Sequence, residues 1–133
     1  MRKSGLQHGR LSAIVAAMGH GDLLVIADPG LPIPPRVECV DLAVTAGVPP
    51  FLDVLRAISA ELAMEKIVIA AELQTGNPAL DADIQTITGM SGQRRDIVSH
   101  EVFKQMTETA VAIVRTGEFT PYANVILVGG VAF

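Results

Sequence analysis

The run Leu23-Leu24-Val25-Ile26-Ala27 leads directly into Asp28-Pro29-Gly30. Five consecutive apolar residues are typical of a strand that is buried on both faces, as in a parallel sheet covered by helices. Pro29 favours an extended conformation at Asp28, and Gly30 permits a turn, so the strand ends there. The segment therefore predicts a central strand with a carboxylate at its carboxyl end.

Helical and strand patterns alternate on both sides of this segment. Apolar residues at helical spacing precede it, namely Leu11, Ile14, Val15 and Met18. They predict a helix that Gly19 can end in a left-handed conformation. Further strands are predicted at 37–44, 66–71, 96–98, 111–114 and 125–128, and further helices at 51–64, after 78 and after 99. The alternation predicts an α/β fold, a single domain spanning 1–133 with a largely parallel central sheet flanked by helices.

The composition limits the possible partners. A net charge of -4 with scattered basic residues argues against binding to nucleic acid. No run of about 18 apolar residues and no signal-peptide core is present, so we expect no membrane span and a cytoplasmic location. Because half of the 133 residues are hydrophobic, we expect apolar surface to be buried between subunits of a homo-oligomer. The single cysteine, Cys39, is expected to be a small buried hydrophobe rather than a nucleophile.

Polar residues gather around the predicted strand ends, where open α/β sheets bind their ligands. The candidates are His20, Asp22, Asp28, His100, Tyr122 and Asn124. Histidine is the side chain best suited to moving protons near neutral pH. Three of these candidates also have a structural alternative: His20 as a helix cap, Asp28 as a turn stabiliser, and His100 as a partner of Glu72 or Glu101. Spacing alone favours these structural alternatives.

Motifs for metal, phosphate or covalent chemistry are missing from the sequence. His20 and His100 lack the spacing of a known zinc site. The glycines around His20 and at 129–130 match no phosphate-binding loop, and Ser99-His100 does not resemble a nucleophile elbow. We therefore predict neither a metal nor a cofactor.

Five segments together carry a family resemblance. They are 18–22 (MGHGD), 28–34 (DPGLPIP), 47–51 (GVPPF), 100–104 (HEVFK) and 115–127 (RTGEFTPYANVIL). In this order they resemble the D-ribose pyranase family nearly from end to end, and LPIP and TPYAN are the most distinctive parts. Pro29 departs from the pattern, since a small residue such as Ala is expected there. Segment 76–95 carries no recognisable motif.

The resemblance implies an enzyme that interconverts the pyranose and furanose forms of free D-ribose without a cofactor and supplies furanose to ribokinase. It implies that His20 is the catalytic acid/base. The sugar-binding residues that it implies are Asp28, His100, Tyr122, Asn124 and, through its backbone, Ala123. It also implies a decamer of two stacked pentameric rings, with sites at subunit boundaries.

Three alternatives stay open at this stage. An L-fucose mutarotase would exchange anomers of a different sugar, although Leu31-Pro32-Ile33-Pro34 favours the ribose branch. A non-catalytic sugar-binding or transport-accessory protein would use the same pocket. A purely structural ring protein would leave the polar residues at the strand ends unexplained.

Overall fold

The computed structural model describes residues 1–133, and a six-stranded mixed sheet runs through its centre. The strands are β1 Leu23–Ala27, β2 Glu38–Asp41, β3 Met64–Ala70, β4 Arg95–Val98, β5 Ala112–Arg115 and β6 Val125–Gly129. Their order across the sheet is β2-β5-β1-β6-β3-β4. Only β6 runs against the other strands, because it is antiparallel to both β1 and β3. The predicted single-domain α/β fold with a largely parallel sheet is confirmed.

Helices cover both faces of this sheet. They are α1 Gly9–Ala17, α2 Phe51–Ser59, α3 Ala71–Gly76, α4 Pro78–Thr88 and α5 His100–Met106. None of them is long and apolar enough to cross a membrane. Short 3-10 turns at Gly92–Arg94 and Thr107–Thr109 complete the fold.

Strand β1 contributes to two separate hydrophobic cores, as its continuous apolar run predicted. Leu24 and Ile26 pack in the larger core, which also holds the apolar faces of α1, α2 and α4. Val25 points to the other face, where it packs in the core that holds Phe103 of α5. All these side chains of β1 are fully buried, and each contributes about 1.5–3 kcal/mol by leaving water. The buried strand therefore holds the residues that precede it and those that follow it at opposite ends of the sheet, one strand length apart.

Several element boundaries differ from the sequence prediction. Helix α1 ends at Ala17, the following Met18 is extended, and the left-handed glycine in this segment is Gly21 at +85° rather than Gly19. Helix α2 stops at Ser59 instead of continuing to 64, and its end tightens into a turn in which the Glu61 and Leu62 N–H groups both donate to the Ile58 carbonyl. Strand β2 is shorter than predicted, and α3 was not predicted.

The register of β6 determines which loops meet. Ile26 near the end of β1 lies opposite Val125 at the start of β6, and Leu23 lies opposite Val128. Residues that precede β6 therefore lie beside residues that follow β1. Conversely, residues that follow β6 lie beside those that precede β1.

Candidate functional site

A cleft of about 580 Å³ lies beyond the carboxyl end of β1. Its lining comes from the turn after β1, from the start of α5, and from the loop that leads into β6. Four residues singled out by the sequence line it together, namely Asp28, His100, Tyr122 and Asn124. They meet because β6 is antiparallel, which brings its amino end to the carboxyl end of β1.

Asp28 and Asn124 form the floor of the cleft. The Asp28 backbone N–H donates to Asn124 Oδ1 at 2.8 Å, and Asn124 Nδ2 donates to Asp28 Oδ2 at 3.2 Å. Asp28 Oδ1 accepts the Gly30 N–H at 2.8 Å, so this carboxylate does stabilise its turn. Because Asn124 is only 2% exposed, its amide fixes the Asp28 carboxylate in one orientation. Each carboxylate oxygen retains a lone pair for a ligand.

The loop that precedes β6 is fixed to β1 and to the start of α2. Thr116 donates both its backbone N–H and its hydroxyl to the Ala27 carbonyl, at 2.8 and 2.9 Å. Gly117 packs against the Val48 carbonyl so closely that a Cβ would overlap it. These contacts hold the start of the loop in place without a ligand.

His100 and Tyr122 form one side of the cleft. Their rings meet edge to face with centroids 5.1 Å apart, and the His100 ring also stacks at 6.3 Å on Phe103. The His100 backbone N–H, rather than its ring, binds the Glu72 carboxylate at 3.1–3.2 Å. His100 Nδ1 is buried without a hydrogen-bond partner, whereas buried polar atoms are normally satisfied. This nitrogen is available to a ligand hydroxyl.

Tyr122 has the only left-handed backbone among the non-glycine residues, with φ of 60°. This conformation costs a residue with a large side chain on the order of 1 kcal/mol or more. The strain places the Tyr122 ring at the cleft while Asn124, two residues later, reaches Asp28. Ala123 between them is fully buried and does not line the cleft.

Glu118, Phe119 and Thr120 also line the cleft, although sequence reasoning gave them no role. Glu118 accepts the Phe51 backbone N–H at 3.1 Å and the Thr120 hydroxyl at 2.8 Å, so its carboxylate links the loop to α2. Pro50 provides no side-chain cap for α2. That missing cap was the one sequence signal that a carboxylate from another part of the chain accepts an N–H group at the start of α2.

His20 does not lie in this cleft. It precedes β1, whereas Asp28 follows it, so the length of a five-residue strand, roughly 16 Å, separates the two edges. Within a single chain, His20 and the four cleft residues therefore lie at opposite edges of the sheet. Asp22 lies at the same far edge, where its carboxylate accepts the Gly19 N–H at 2.8 Å.

His20 pairs with a carboxylate that sequence reasoning missed. Its Nε2 lies 2.6 Å from Glu65 Oε2, and its side chain is 66% exposed. Because a carboxylate only accepts hydrogen bonds, this contact places the proton on Nε2 and leaves Nδ1 for another partner. His20 is thus oriented and accessible, and it does not cap the carbonyls of α1.

Other reactive groups form no second centre. No group of three or more His, Cys, Asp or Glu side chains is arranged to hold a metal ion. Burial raises the pKa of the half-buried Cys39 thiol, which disfavours the nucleophilic thiolate.

Comparisons with known proteins match this chain along its whole length. The profile of the RbsD / FucU transport protein family covers residues 1–132. The chain belongs to this family. Among its relatives, the D-ribose pyranase of Pseudomonas putida strain GB-1 is 49% identical over 133 residues, and that of Symbiobacterium thermophilum is 51% identical. Both alignments cover 100% of each chain.

Solved structures of RbsD / FucU proteins have the same fold. Bacillus subtilis RbsD complexed with D-ribose matches with a TM-score of 0.93 and 42% identity over 100% of both chains. The fucose mutarotase of Streptococcus pneumoniae, complexed with L-fucose, matches with a TM-score of 0.82 over 99% of this chain and 100% of its own. At 22% identity, that second match shows the shared fold alone.

The strain at Tyr122 makes a prediction about stability. Tyr122→Gly and Tyr122→Ala both remove the ring, but only glycine relieves the left-handed backbone, so the glycine variant is expected to be more stable by about 1 kcal/mol. Urea denaturation measures the difference. The same pair at Phe119, whose φ is not positive, should reverse the order by about 0.4–1 kcal/mol. Equal stabilities of the two variants at Tyr122 would contradict the strain.

Proposed function

We propose that this protein is a D-ribose pyranase in which the cleft of one subunit binds free ribose and His20 of a neighbouring subunit moves the protons. Full-length relatives at 49–51% identity are D-ribose pyranases, and RbsD at 42% identity forms a complex with D-ribose. The observation that carries the proposal is the cluster of oriented hydrogen-bonding groups in the cleft, centred on Asp28 and Asn124.

The cleft suits a small polyhydroxylated ligand. Sugar hydroxyls both donate and accept, and the Asp28 carboxylate accepts while the Asn124 amide retains one Nδ2 hydrogen to donate. The Tyr122 hydroxyl can do either, and the unsatisfied His100 Nδ1 provides a further contact. The proposed backbone contact of Ala123 rests on the family resemblance alone.

The chemistry requires only proton transfers. Removal of the proton from the anomeric hydroxyl and delivery of one to the ring oxygen break the bond between the anomeric carbon and that oxygen. The resulting aldehyde then recloses through a different hydroxyl, which exchanges pyranose for furanose. His20 Nδ1 is the proposed acid/base, with Glu65 holding the ring through Nε2. A positioned acid/base of this kind contributes about 10²–10⁴-fold.

A second subunit is needed because one chain keeps the two parts apart. The rigid, fully buried β1 separates His20 from the cleft, yet both are open to solvent and free to meet across a contact between chains. We extend the proposal to a decamer of two pentameric rings in the cytoplasm, between ribose uptake and its phosphorylation.

The first test measures the reaction itself. Saturation-transfer NMR on equilibrated D-ribose should show faster pyranose–furanose exchange with catalytic amounts of native protein. His20→Ala should slow this exchange by at least about 10²-fold, because the acid/base is lost. Calorimetric binding of ribose should change little, because the cleft is intact.

His8→Ala is the matched control, since His8 caps α1 through its Nδ1 and lies outside the site. It should retain native exchange. Acceleration of L-fucose anomer exchange alone would assign the protein to the mutarotase branch. Ribose binding without acceleration of either exchange would instead make it a sugar-binding protein.

The shared site is tested by mixing two inactive variants. His20→Ala retains the cleft, and Asp28→Asn retains the histidine. Coexpressed with different tags and purified through both, mixed oligomers should recover about a quarter of native activity, from random pairing of subunits. Recovery is expected only if the two residues act from different chains. Activity no higher than the sum of the separate variants would contradict a site built across subunits.

A further inference from the structure

We propose that the C-terminal tail of one subunit, Val131-Ala132-Phe133, covers the sugar cleft of its neighbour, and that Phe133 forms an apolar wall of the ribose site. The proposal rests on the proposed function, in which His20 enters a neighbouring cleft. It adds a binding residue that the polar groups of the cleft do not supply. The partner surface is a second copy of this chain.

The tail is held next to His20 by backbone contacts. The Gly21 N–H donates to the Gly129 carbonyl at 2.9 Å, and the Gly129 N–H donates to the Asp22 carbonyl at 2.8 Å. The two segments pack so tightly that a Cβ on Gly129 would lie 2.6 Å from the Gly19 carbonyl oxygen. If His20 enters the cleft of a neighbouring subunit, the residues that follow Gly130 therefore face that subunit as well.

Those residues are apolar, and they make no hydrogen bond within their own chain. Val131 is 53% exposed, and the Phe133 ring is fully exposed. Gly130 makes the last backbone hydrogen bond, to the Ala63 carbonyl at 2.9 Å, and residues 131–133 make none. Three fully extended residues span at most about 10 Å, so Phe133 lies within that distance of Gly130. Contact with a neighbour would remove the Phe133 ring from water.

The receiving cleft has an apolar rim that matches the tail. Phe119, which is 72% exposed, lines the cleft together with Pro29 and Pro121. The cleft measures about 580 Å³, within the range of roughly 300–1,000 Å³ that holds drug-sized ligands. A free pentose is smaller than such ligands, so part of this space is left for another group.

The C–H groups on the face of a sugar ring also favour an apolar contact. Asp28 and Asn124 lie together on the floor and engage hydroxyl groups, whereas the C–H face of a sugar ring packs favourably on an aromatic ring. Phe133 then adds an aromatic contact from a second chain to those that Tyr122 and Phe119 can make within the cleft. Phe133 acts on binding of the sugar rather than on the transfer of protons.

Phe133→Ala should therefore raise KM for ribose exchange about tenfold and leave kcat within about twofold of native. Light scattering should show an unchanged oligomer. An unaltered KM would overturn the proposal, and native protein without any exchange activity would overturn the proposed function instead.

The chain from which Phe133 acts can be identified in the mixed oligomers. In the mixture of His20→Ala with Asp28→Asn chains, each working site takes its histidine from an Asp28→Asn chain and its cleft from a His20→Ala chain. Phe133→Ala added to the Asp28→Asn chain should raise KM of the recovered activity. The same change on the His20→Ala chain falls at sites that already lack the histidine and should have no effect.

If Phe133→Ala raised KM equally on either chain, the tail would act in assembly and the proposal would be overturned. An unchanged KM with the substitution on either chain would overturn it as well. A parent mixture that recovers no activity would refute the shared site itself, and the tail proposal with it.

Discussion

Strand β6 runs antiparallel between β1 and β3, and its hydrogen-bond register determines where both polar regions of the molecule lie. Its amino end brings Asn124 to the carboxyl end of β1, where the amide fixes Asp28. Its carboxyl end brings Gly129 to the loop around His20. A parallel β6 would exchange these neighbours and separate Asn124 from Asp28 by the length of a strand. The cleft therefore depends on this one reversal.

The same sheet also keeps the two regions apart. Strand β1 is buried on both faces, so no bending of the strand can bring His20 to the cleft of its own chain. Under the proposed function, each subunit carries the proton-transfer group at one edge and the sugar-binding groups at the other. Under the proposed function, activity requires assembly, and an isolated subunit would bind sugar at most. One acid/base per site is sufficient, because the reaction already proceeds spontaneously and a single positioned group can accelerate it.

The sequence predicted the fold well and the site in part. The continuous apolar run of β1 and the alternation of elements were sufficient for the α/β sheet, and Asp28 followed from the Pro29-Gly30 turn. The direction of β6 was not predictable, because the periodicity of a buried apolar run carries no direction. His20 was grouped with the cleft residues although it precedes its strand. Glu65 gave no signal, because its partner His20 is distant in sequence, and only the missing cap at Pro50 pointed to Glu118.

The most direct test of the central claim is a crystal structure of the protein with D-ribose bound. The account predicts a symmetric oligomer with ribose beside Asp28 and Asn124 of one subunit and His20 of another within hydrogen-bond reach of the sugar. A ribose molecule bound in the cleft with every His20 facing solvent would contradict it. So would a sugar bound at the His20–Glu65 edge of a single chain.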